Sequence, residues 1–117
     1  MYIHTFGRLH GFLQNCVSGA VIGGSEPGGM YVGRVHHRSG DLLPGKVHLN
    51  YGVIYVPWGG KEHNFSSYEV LKESNPSNPV TEWRHSEQGI VQPAAIQGGV
   101  TSNGERLYIG RYVLKGP

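Results

Sequence analysis

At 117 residues the chain is long enough for one domain with a modest core and too short for two. Ten Lys and Arg against eight Asp and Glu leave a formal net charge of +2, and the basic residues are scattered, so a pI near 8.8 carries no nucleic-acid footprint. Nineteen Gly and seven Pro break up long helices, while the aromatic and branched content is too high for a disordered chain.

The N-terminal MYIHTFGRLHGF holds no apolar run of signal-peptide or membrane-span length, so direct membrane insertion is not expected. Cys16 is the single cysteine and cannot close an internal disulfide. A cytoplasmic location follows as the expectation, with non-classical release as the alternative route out. AVIGG (20–24) and MYVGRV (30–35) are short, rich in Val, Ile and Tyr, and bounded by Gly or Pro, which predicts strands. Between them SEPGG is a turn bearing Glu26. His36 and His37 fall on opposite faces of the strand they end, so they cannot ligate one ion, and no metal or cofactor is called for.

GDLLPGKV (40–47) comes within one residue of a phosphate loop. That loop needs a hydroxyl for magnesium, and a helix whose N-terminus points at the phosphates. Here Val47 stands at the hydroxyl position, and the following VHLNYGVIYVPW alternates like a strand. Lys46 therefore needs another explanation. Asp41, in the same stretch, is either an added acceptor or a turn former.

GVIYVPW (52–58) places Val53, Tyr55 and Pro57 on one face and Ile54 and Val56 on the other, which predicts a strand buried on both sides. In GGKEH (59–63) the glycines predict a turn, and the simpler role for Glu62 is a bond to backbone or to Arg34. Trp58 and Tyr31 could stack on a ligand, but aromatics in such strands are usually core or interface. YEVL (68–71) predicts another strand, and KESNPSNP (72–79) a linker that bars a helix.

Beyond the linker the chain repeats itself. CVSGAVIGG (16–24) is answered by VQPAAIQGG (91–99), and MYVGRV (30–35) by LYIGRY (107–112), with two extra residues in the Gly-rich loop of the second copy. One domain over 1–117 is expected, with repeat one at about 13–73, a linker at 74–87 and a partial repeat two at about 88–117. Repeat two has no counterparts of KVHL, GVIYVPW or YEVL. Its strands should then expose sheet edges that another segment or another chain must cover, which predicts a homo-oligomer.

The ordered succession AVIGG, YVGR, GDLLPGKV, YVPWGGKEH, YEVL, and then AAIQGG and LYIGR, resembles the DM9 repeat family, found in invertebrate lectin-like proteins and fused to pore-forming modules in fish-toxin-like proteins. The resemblance implies an all-β fold of antiparallel sheets in which tandem repeats are related by a pseudo-twofold axis. In one branch it also implies mannose recognition by an acidic residue after the AxxGG block and by the lysine of PGK. Those positions fall here on Glu26, where Asp is more usual, and on Lys46. In repeat two the same count reaches Thr101, and the matching lysine would lie beyond Pro117, so a single sugar site is expected.

A carboxylate and an ammonium can together satisfy a vicinal diol, one accepting from and the other donating to neighbouring hydroxyls. The expected function is a non-enzymatic mannose-type lectin module for mannose-containing glycans, used in pathogen-surface recognition. Its candidate sugar-binding residues are Glu26, Lys46 and Asp41; catalytic residues and cofactors are not expected. The alternative is a protein-interaction or self-assembly module with no sugar ligand.

Overall fold

The computed structural model describes residues 2–6, 10–14, 20–24, 30–48, 51–73, 82–86, 90–91 and 95–112. Twelve strands and no helix occur among them: β1 (Tyr2–Phe6), β2 (His10–Gln14), β3 (Ile22–Gly24), β4 (Met30–His36), β5 (Leu42–His48), β6 (Val53–Trp58), β7 (Lys61–Phe65), β8 (Glu69–Glu73), β9 (Glu82–Ser86), β10 (Gln97–Val100), β11 (Arg106–Tyr108) and β12 (Gly110–Tyr112). The fold is all-β, and every strand pair is antiparallel. Cys16 and Glu26 lie outside the described residues, as does the expected linker over 74–87 except for 82–86, which form strand β9 and not a linker.

β4 and β5 form the spine of a nine-stranded sheet, paired along their whole length from Met30↔His48 to His36↔Leu42. Each divides its other edge between two partners. On β4, Met30 and Tyr31 pair with β3, whereas Gly33 and Arg34 pair with β8. On β5, Lys46–His48 pair with β6 and Leu42 pairs with β10. GDLLPGKV is thus mostly strand. Lys46 sits within β5, and Gly45 is needed because a side chain there would strike the carbonyl of Tyr55.

The two similar sequence blocks adopt the same local structure. β3 pairs β4 with a register shift between Ile22 and Gly24; β10 pairs β11 with a shift between Gln97 and Gly99. Val32 N–H donates to the Val21 carbonyl, and the equivalent Ile109 N–H donates to Ile96. The turns preceding β5 and β11 also match. His37 and Thr101 N–H groups bond the carbonyls of Asp41 and Glu105, and Gly40 and Gly104 take positive φ. These are the bonds of a tight turn closed through a left-handed glycine.

Apolar side chains divide between the two sheet faces. One face carries Val35, Leu43, Val47, Ile54, Val56 and Val70, with Tyr68 closing over them. On the other, Val32 and Leu71 pack with Val21, Ile96 and Ile109. This second cluster joins equivalent residues of the two blocks, Val21 with Ile96 and Val32 with Ile109. It covers only the β8–β4 part of its face. In β6, Ile54 and Val56 are fully buried while Val53 and Tyr55 are half-buried and Pro57 is exposed. The expected burial of both faces of β6 is therefore corrected: β10 and β11 do not reach that far.

The N-terminal strand answers part of the question of open edges. β1 lies between β9 and β12, pairing His4 with Gly110 and Tyr2 with Tyr112. Residues 110–112 correspond to 33–35, which in the first block are held by β5 and β8. A segment of the same chain thus pairs with residues 110–112, as β5 and β8 pair with residues 33–35.

A Cβ added at Gly99 would overlap the Leu42 carbonyl, which is backbone and cannot swing aside. Gly99→Ala is expected to destabilise the fold by about 1–3 kcal/mol, the usual range for overpacking. Chemical denaturation of the two proteins with a common m-value checks this; a change below about 0.5 kcal/mol would show that β10 does not lie on β5 as described.

Candidate functional site

The glycines at 59 and 60, both at positive φ, make a two-residue hairpin turn that fixes the register of β6 against β7. Trp58 then faces Lys61, Pro57 faces Glu62 and Tyr55 faces Asn64. Because Tyr55 also pairs with Lys46, side chains at Lys46, Tyr55 and Glu62 all emerge on the half-open face. Lys46 Nζ lies 3.9 Å from Glu62 Oε2 and 5.9 Å from the centroid of the Tyr55 ring. The Lys46 and Glu62 side chains are 52% and 60% exposed, so the pair contributes at most about 1 kcal/mol to stability.

This arrangement corrects the expected partner of Glu62. Arg34 instead donates from Nε to Glu69 Oε1 at 2.8 Å, with His36 Nε2 3.2 Å from the same oxygen. Arg34 and Glu69 are directly opposed on β4 and β8, which is why they meet.

Asp41 does not join Lys46. It precedes β5 and lies five residues away, about 16 Å at the rise of an extended strand. Both its oxygens are engaged: Oδ2 accepts from Trp58 Nε1 at 2.9 Å, and Oδ1 accepts from the Ser102 N–H at 2.7 Å. The Ser102 amide first, and the indole second, hold the carboxyl below its ordinary range. Asp41 thereby ties the 37–41 turn to the turn at 101–105 and orients Trp58. The indole stacks on the buried His37 ring at 4.6 Å and 29°, and His63 Nε2 lies 3.0 Å from the Trp58 carbonyl. Trp58 remains 39% exposed.

Glu26 falls in the 25–29 segment, outside the described residues, but both anchors of that segment are placed. Gly24 pairs with Met30, and Met30 stands two residues along β4 from Val32, the partner of Lys46. Met30 is therefore about 7 Å along the sheet from the Lys46 position and one strand away, while Gly24, on β3, is two strands away.

The geometry thus offers an ammonium, a carboxylate and a phenol ring together on the half-open face of the sheet. The family model for the DM9 repeat matches residues 23–117. The chain belongs to the DM9 repeat family. DM9 repeats are known as carbohydrate-binding modules, not as a catalytic family. No curated protein and no solved structure matches the chain. The DM9 match spans β3 to β12 and so contains Lys46, Tyr55, Glu62 and the Gly59–Gly60 turn that aligns them.

Because the folded pKa of Asp41 is lowered, its contribution to stability is present above the ordinary carboxylate pKa of about 4 and is lost as the pH falls through the lowered value. Thermal melts from pH 5 to pH 2 should show an acid-side loss of stability that is smaller in Asp41→Asn. The same substitution should shift the Trp58 indole N–H resonance. An unmoved resonance would mean that Asp41 does not hold the ring.

Proposed function

We propose that this DM9 chain is a mannose-type carbohydrate-binding module whose sugar seat is built on Lys46, Glu62 and Tyr55, with Glu26 contributing from the 25–29 connection. The observation that supports this most is the Lys46–Glu62 pair: exposed, on one face with Tyr55, and 3.9 Å apart. At that separation the two groups are attracted but not closed into a short hydrogen bond. The hydroxyls of a vicinal diol can enter between them, one accepting from Nζ and the other donating to Oε2, with little structure to break. Tyr55 offers a ring for the apolar face of the sugar. The resemblance marks the same lysine.

A site this small and exposed binds weakly, and recognition of a mannose-bearing microbial surface would depend on several copies acting together. Self-association belongs to the proposal for that reason. As the whole function, assembly through open sheet edges has less support, because β1 already pairs with β12 and the edge strand β7 is studded with exposed Lys61, Glu62 and Asn64.

Calorimetric titration of methyl α-mannoside, with galactose as control, is the test. Saturable mannose binding is expected, with Kd raised at least about tenfold in Lys46→Ala and Glu62→Gln, since each loses a charge-assisted hydrogen bond worth about 1.5 kcal/mol or more. Melting should hardly change in either variant. A Glu26→Ala variant apportions the acceptor role between the two acids. Absence of mannose heat in the folded wild-type protein would refute the reading.

A further inference from the structure

The division of the β4 edge leaves a gap. β8 pairs with β4 at Gly33 and Arg34, and the ladder stops there; β4 runs on to His36, while the chain from β7 to β8 turns away through residues 66–68. A cleft of about 360 Å³ opens between them, within the range of about 300–1,000 Å³ common for small-ligand sites. Arg34, His36 and Glu69 line its polar side, Ser66 stands at the turn, and Phe65 and Tyr68 form an apolar wall. Tyr68 is buried, and the Arg34–Glu69 bond at 2.8 Å is part-buried, so these walls are fixed before any ligand arrives.

We infer that this cleft is a second saccharide subsite, one that takes a neutral hexopyranoside. The ligand class follows from the lining. The guanidinium of Arg34 and the carboxylate of Glu69 neutralise each other, so an anion would meet Glu69 and a cation would meet Arg34. A neutral molecule with several hydroxyls meets neither obstacle. It can donate to Glu69 and exchange hydrogen bonds with Ser66 and His36, while its C–H face lies on Phe65 and Tyr68. The cleft shares no residue with the Lys46 seat; Glu69 and Glu62 lie on β8 and β7, strands that do not pair with each other. Carbohydrate as the ligand class rests on the proposed function, whereas the location does not. Binding here is unselective between hexoses and weak, because one rigid ion pair and the hydroxyls of Ser66 and Ser67 must do most of the positioning. One chain could then hold two sugars of a branched glycan.

The test is amide chemical-shift mapping of the intact chain titrated with methyl α-mannoside and with methyl β-galactoside at millimolar concentration. Both sugars are expected to shift the amides of 34–36 and 66–69 saturably, in the wild type and in Lys46→Ala alike. Ser66→Trp, which fills the mouth of the cleft, should abolish those shifts while leaving any mannose shifts at Lys46, Tyr55 and Glu62 in place. Glu69→Gln, which keeps the shape and removes the charge, should raise the Kd of the cleft at least tenfold, and it decides the matter if Ser66→Trp does not fold. Cleft shifts without any response at Lys46 would support this subsite and refute the first seat. Shifts confined to the Lys46 face, or none at all in the folded protein, would overturn the inference.

Discussion

The approach of β10 to β5 is the contact on which the rest of the molecule depends. At Gly99 the two backbones lie so close that the position of a Cβ is filled by the Leu42 carbonyl, and Pro44 packs beside it. Only this proximity carries Ile96 and Ile109 over Val21, Val32 and Leu71, giving the second face of the sheet a core. The outer lock is polar: Asp41 accepts from Ser102 across the two matching turns, and at Gly40 a Cβ would lie 3.3 Å from that of Ser102. A bulkier residue at 99 would separate the strands, and the apolar cluster and the Asp41 bridge would open together. Stability at this junction is therefore cooperative, not a sum of separate contacts.

Covering of the sheet is partial among the described residues. β10 and β11 reach Leu42 and Pro44 but leave the stretch with Lys46 and Tyr55 half-open; on the other edge of the spine, β8 leaves β4 after Arg34. Both candidate ligand sites lie at these limits. The coincidence has a physical basis, since a sheet face must be either packed or wet, and polar side chains are tolerated only where packing ends. Partial covering thus determines where Lys, Glu and Arg can be carried without the cost of burying them.

The sequence made much of this legible, and the failures are instructive. Alternation and Gly or Pro boundaries identified β3, β4, β6 and β8, and internal similarity anticipated that 20–24 and 95–99 share a local structure. GDLLPGKV fails as a phosphate loop for want of a hydroxyl and a helix, but its strand character was not read; what makes Pro44 and Gly45 strand is pairing with Arg34 and Gly33, which no local propensity contains. Strands β1 and β9 went unrecognised for the same reason. YIHTF and EWRHS are held by each other across some eighty residues, His4 opposite Arg84. The approach of Glu62 to Lys46 was not read, although the signal was present: two glycines imply a two-residue turn, which sets Glu62 on the face of Tyr55. Asp41 was named from its place in the loop, and the Trp58 and Ser102 donors that occupy it come from 17 and 61 residues away.

The two ion pairs of this sheet differ in a way that bears on function. Arg34 and Glu69 are about three-quarters covered and meet at 2.8 Å, so parting them would strand a desolvated charge. Lys46 and Glu62 are more than half exposed and 3.9 Å apart, so parting them costs little. The first pair suits a fixed wall and the second suits an adaptable one. An exposed lysine held loosely between an acid and a tyrosine adds almost nothing to folding, and the glycine beside it is explained by the Tyr55 carbonyl alone. What Gly45 does for the sheet therefore leaves Lys46 unexplained, which is why the proposed sugar seat is centred on the lysine and not on the glycine beside it.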